Sequence, residues 1–280
     1  LSGQLTAQVY KVWPAPDLLR RIDGGVPDAV LIAFDGLPPA DHLSEVLRQL
    51  ARHGTRAVFS ATAGDILAGR DTIRRLVATG HAIALTKTGD LEGNSLFANI
   101  SRLRDRTAAM ALAAETGWRS VLAETWGPGE ILPATVNEFA TLIALQNQGR
   151  IRLPYGERVP PGAEAAGEFA ERVVSTVFLE GSQLVRFSLA KESLDSTLAA
   201  LPVVLSEFEK AGARFIAPDD LARPAGGVAM FEARGLTTLR DRVYMWVLLG
   251  ADTVLAAVFF LLLIIALVRS TAFLTLAHLR

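Results

Sequence analysis

Cysteine is absent from the 280 residues, so disulfides and thiolate metal centres are excluded. Histidine is scarce, with His42, His53, His81 and His278 the whole supply, which leaves little room for a histidine-based metal site. An excess of positive charge is also lacking: 28 Lys and Arg stand against 29 Asp and Glu. A nucleic-acid partner would require a basic field, so that class is set aside. No Gly-rich phosphate loop follows a strand-like run, and no nucleophile elbow occurs.

Long apolar runs are rare as well, with one exception. Val254–Val268 contains only apolar residues, and the run reaches back to Tyr244 with Gly250, Asp252 and Thr253 as its only breaks. At ~1.5 Å per residue, Tyr244–Val268 as one helix rises about 37 Å, more than a ~30 Å hydrocarbon core. The expectation is a transmembrane helix over 244–268, with Tyr244 and Trp246 as interface residues and Arg269 at the far edge. Asp252 would be costly against lipid and would sit at the interface or meet a partner helix. The expected organisation is a domain over 1–225, a juxtamembrane linker over 226–243, the span, and a tail over 269–280.

Before the span, short apolar runs alternate with helical patterns. Ala29–Phe34 reads as a buried strand ending at Asp35. Leu43, Val46, Leu47 and Leu50 recur at helical spacing, and Gly54 ends that helix. Further strands are expected at Ala57–Ser60, Ala82–Leu85, Val121–Ala123, Ile151–Leu153, Leu184–Leu189 and Arg214–Ile216. Helices are expected at 71–77, 96–115, 133–148, 167–179 and 194–210. This alternation predicts an α/β fold of about seven parallel strands, closed or nearly closed into an irregular (β/α) barrel. Chemistry in such folds sits at the C-terminal strand ends. That directs attention to Asp35, the Thr86–Asp90 stretch, Glu124, Leu153–Glu157 and Phe187–Ser188.

Three motifs carry a resemblance. Phe34-Asp35-Gly36-Leu37-Pro38 closes the first strand, Gly54-Thr55-Arg56-Ala57-Val58-Phe59 opens the second, and Gly80-His81-Ala82-Ile83-Ala84 opens the third. Together they resemble the NodB-homology domain of polysaccharide deacetylases, carbohydrate esterase family 4. The resemblance runs from about Val30 to Leu221. It implies an acetylated glycan as partner and a metal-dependent hydrolysis of the acetamide. In that family an aspartate and two histidines hold a divalent metal, a second aspartate is the base and a distant histidine is the acid. Position by position, the base falls on Asp35, the metal aspartate on Gly36, the histidine pair on Thr86 and Asp90, and the acid on Phe187. The arginine motif of the family falls at Glu124-Thr125-Trp126-Gly127 in preference to Arg152-Leu153-Pro154-Tyr155-Gly156, which it resembles at a less suitable spacing, and its Asp-Trp pair then falls at Glu157-Arg158.

The resemblance therefore implies a degenerate site with no metal and no other cofactor. Asp35 is the remaining catalytic candidate, while Trp126, Tyr155 and Asp90 are candidate substrate contacts, the aromatic faces suiting sugar rings. Asp35 can equally cap a turn, and His81 aligns with a framework histidine. The leading expectation is an impaired deacetylase-like domain of cell-surface carbohydrate metabolism, single-pass and extracytoplasmic. Residues 235–280 resemble the junction to a membrane family-2 glycosyltransferase, which becomes a possible partner. Two alternatives stay open. One is an active deacetylase using Asp35 and Asp90 as ligands of a divalent metal. The other is a non-enzymatic glycan-binding or scaffolding domain.

Overall fold

The structure is a computed structural model and describes residues 29–86, 108–124, 151–153, 157–180, 183–222, 228–233 and 235–278. Strand β1, Ala29–Asp35, is central: Ala29–Phe34 are at most 1% exposed. A parallel strand covered on both faces needs an unbroken apolar run, which AVLIAF supplies. On one side β1 pairs with β2, Ala57–Ala61, which pairs with β3, Ala82–Leu85. After a short strand β4, Trp118–Ser120, the sheet continues through β5, Leu122–Glu124, to β6, Ile151–Leu153. On the other side of β1 lies β8, Gln183–Ser188, followed by β7, Glu157–Arg158. Strand β9, Arg214–Phe215, meets the start of β1, and every one of these pairings is parallel.

The helices cover this sheet through apolar stripes. Helix α1, Leu43–Arg52, buries Leu43, Val46 and Leu50 and ends at Gly54, whose φ of 59° suits glycine. Helix α2, Ala63–Ala68, starts with a capping box between Thr62 and Asp65. Helix α3, Arg70–Ala78, buries Ile73, Leu76 and Val77. Residues 108–116 are helical, and α4, Ala163–Glu180, precedes β8. Helix α5, Leu194–Lys210, holds its course through Pro202 and buries Leu201, Val204, Leu205 and Phe208. A short helix α6, Pro218–Ala222, follows. Strand β10, Met230–Glu232, then pairs antiparallel with β4 and leads into one continuous helix α7, Leu236–His278.

Two expectations find no support among the described residues. A closed barrel is not seen among the described residues: β6 and β7 end the strand order, and no pairing joins them there. Closure needs a continuous ladder at both margins. Here β7 is a two-residue strand of exposed charged side chains, Glu157 and Arg158. The expected transmembrane span is unsupported too, since among the described residues no helix is long and apolar enough to cross a membrane. The side chains described in the apolar part of α7 run from Val258 to Thr271. The side chains of Tyr244 and of residues 246–257 are not among those described. The helix expected at 133–148 and most of the one expected at 96–115 lie outside the described residues.

Candidate functional site

The C-terminal ends of β1, β7 and β8 bring a charge cluster together. Asp35 closes β1, and its Oδ1 accepts a hydrogen bond of 2.6 Å from Nη1 of Arg186 in β8. Its Oδ2 lies 3.5 Å from Nη2 of Arg158 in β7. The Arg186 side chain is only 5% exposed and that of Asp35 25%, so their ion pair is shielded from water. The Arg158 guanidinium is largely exposed and adds a weaker, screened attraction.

Register explains which residues meet. Side chains alternate between the faces of a strand, and directly paired residues share a face. Asp35 pairs with Ser188 and Ala33 with Arg186, so Arg186 and Ser188 stand on the face of Asp35. Phe34 pairs with Phe187 and lies on the other face. There Phe34 stacks on Phe59 at 4.7 Å and on Phe187 at 5.5 Å, all three fully buried. Phe187, the position that the family's pattern assigns to the acid histidine, is thus a core residue turned away from Asp35. Sequence reasoning pointed to Phe187 and Ser188 at this strand end and missed Arg186. The available signal was a charged residue inside the apolar run Leu184–Phe187. Ser188 is engaged in the following turn, with its hydroxyl 2.8 Å from that of Ser193.

The other expected site residues separate into two groups. Asp90, Trp126 and Tyr155 lie outside the described residues. Gly36 and Thr86 are described and offer no carboxylate or imidazole. Gly36 has φ 101°, a left-handed conformation that a side chain-bearing residue rarely takes, so the turn itself favours glycine over the metal aspartate. His81 is buried beneath β2 and β3. Its Nδ1 accepts the Ala57 N–H at 3.0 Å, and its ring meets Phe59 edge-on. Burial pushes its pKa down to about 4, with the positive charge of Arg56 adding to the effect. This is a structural histidine, as expected for a framework position.

A divalent metal would need several oxygen or nitrogen donors converging on one point. Among the described residues no group of three or more His, Asp or Glu side chains does so. Asp35, the one carboxylate described among the candidate catalytic residues and substrate contacts, already spends its oxygens on two arginines. The described residues do not fit a metal.

No sequence-family model matches the chain, and no curated protein matches it. Solved structures do match. A chitin deacetylase from Colletotrichum lindemuthianum superposes with a TM-score of 0.55 at 17% identity, over 69% of this chain and 86% of its own. A CE4 esterase from Streptococcus mutans gives 0.54 at 18% identity, over 75% and 92%. A mutant of a CE4 family pseudoenzyme, with restored enzymatic activity, gives 0.53 at 12% identity, over 67% and 65%. At such identities the likeness concerns the fold: this chain carries the NodB-like α/β fold of the carbohydrate esterase family 4 deacetylases.

Proposed function

We propose that this chain is a membrane-associated, deacetylase-like domain that engages acetylated glycans and lacks metal-dependent hydrolysis. The observation that carries the reading is the buried ion pair between Asp35 and Arg186. A general base must be free to accept a proton from a water held beside it. Asp35 instead has its two oxygens turned to the guanidinium groups of Arg186 and Arg158, which hold the carboxylate engaged. The cation near Asp35 is then part of the chain and no resident metal is required. The glycan class follows from the solved neighbours, whose names include chitin and peptidoglycan deacetylases.

Membrane association is supported by α7. From Val258 to Val268 its large apolar side chains are each 46–63% exposed. Consecutive residues point in every direction around a helix, so no polar face remains along this stretch. Lipid satisfies such a surface on all sides, whereas a docked partner helix would cover one stripe. An extracytoplasmic domain and a membrane glycosyltransferase as partner complete the proposal, both carried by the junction sequence of 235–280.

The test is acetate release from chitin oligosaccharides and acetylated peptidoglycan fragments, with Mn²⁺, Mg²⁺ and Zn²⁺ supplied in turn. The expected result is binding of the oligosaccharides without metal-dependent turnover. Turnover that collapses in Asp35→Asn and survives in the exposed control Asp71→Asn would establish an active altered site instead. Asp71 suits the control because its side chain is 79% exposed.

A further inference from the structure

The junction between the domain and α7 is itself folded. Strand β10 pairs with β4 through Met230 with Ser120, Phe231 with Arg119 and Glu232 with Trp118. The ladder is extended at both ends, by Val121 N–H to the Ala229 carbonyl at 3.1 Å and by Ala233 N–H to the Gly117 carbonyl at 2.8 Å. The Met230 side chain is buried, and its sulfur accepts the Ile83 N–H at 3.4 Å. Residues 233–235 then connect β10 to α7, too few to act as a tether.

The first turns of α7 return to the same surface. The Asp241 carboxylate, 5% exposed, receives a hydrogen bond from the guanidinium of Arg119 in β4. Arg242 donates from Nε to the Ala114 carbonyl at 3.3 Å. Met245, one turn beyond Asp241, is 3% exposed. Residues four apart share a face of a helix, so Asp241 and Met245 mark one docked stripe. Arg119 holds both parts of the junction, since its backbone pairs with Phe231 and its side chain with Asp241.

We propose that these contacts clamp α7 to the domain as one rigid body, with Arg119–Asp241 as the lock. Helix α7 is continuous from Leu236 to His278, so fixing its first turns fixes the direction of everything beyond them. The Asp241 carboxylate is nearly buried, and without Arg119 it would keep only the exposed Arg240, 3.5 Å away, which gives the lock its hold. The mount exists whatever receives the apolar segment. On the anchored reading above, it means that the Asp35 end of the sheet faces a set direction at a set height. The domain would then serve glycan held near the bilayer and not swing on a leash.

The chain lacks cysteine, so two can be introduced and labelled alone. Nitroxides at Asp71→Cys and Val258→Cys report domain and helix, measured by pulsed dipolar spectroscopy on the full chain in detergent. A single narrow distance distribution is expected for the parent, lost in favour of a broad one when Asp241→Ala is added. The double replacement Arg119→Asp with Asp241→Arg should restore a narrow distribution. A broad distribution in the parent overturns the clamp, and so does a narrow one that Asp241→Ala leaves unchanged in a folded protein. Membrane fractionation of the same chain reads anchoring separately, so either idea can fail without the other.

Discussion

Arg186 reaches across from β8 to place Nη1 2.6 Å from Oδ1 of Asp35, joining two residues 151 positions apart at the C-terminal end of the central strand. Removing one member of a fully buried pair costs roughly 3–5 kcal/mol. Asp35 keeps a quarter of its exposure, which lets water relieve part of that loss. Asp35→Ala should therefore destabilise the domain by about 2–3 kcal/mol, read as a lower denaturant midpoint with an unchanged slope. An unchanged midpoint would mean that the pair contributes nothing to folding.

Phe187 offers a test of strand phase. Because it stacks on Phe34 in the core, Phe187→Ala should cost ~3–5 kcal/mol. A surface or site-facing phenylalanine would lose far less. Chemical denaturation distinguishes the two. Ser188→His, on the face of Asp35, is the substitution that brings an imidazole toward the carboxylate, whereas Phe187→His buries it among aromatic rings.

Metal content follows from the donor set. Purified residues 1–234 are expected to retain no stoichiometric zinc after mild dialysis. About one zinc per chain by elemental analysis would contradict the ion-paired role of Asp35.

Acid should weaken the fold through His81. Its native pKa is pushed down to about 4 from an ordinary 6.5. Between those values the unfolded chain binds a proton that the native chain does not, so stability falls as pH drops from about 6.5 toward about 4. A shift of this size corresponds to a loss on the order of 3 kcal/mol. Protonation would also convert Nδ1 from an acceptor of the Ala57 N–H into a donor. Denaturant midpoints at pH 7 and pH 4.5 should differ in the parent and differ less in His81→Asn, whose amide oxygen can keep the acceptor.

The apolar stretch of α7 makes the membrane reading vulnerable to a direct experiment. Leu262→Arg with Ile264→Arg should impair insertion, since a central arginine costs ~2.5–3.5 kcal/mol on translocon scales. Alkaline carbonate should leave the parent chain in the membrane pellet. Release without detergent would refute anchoring.

The sequence by itself determined the elements whose signal is local. The apolar run of β1, the stripe of α1, the extent of α5 and the placement of Asp35 at a strand end all follow from residues within a single element's length of one another. The strand at β8 was legible too, but which of its residues faces Asp35 was not. Whether Arg186 or Phe187 faces Asp35 depends on the register between strands, and register is fixed by inter-strand hydrogen bonds and packing between distant segments. The course of the sheet at its ends depended likewise on strands of three residues or fewer, too short to leave a periodic trace. The Arg119–Asp241 lock joins residues 122 positions apart, and nothing local to either charge marks its partner. Only the tertiary structure decided which charges meet, because burial away from water, not proximity along the chain, makes a particular ion pair count.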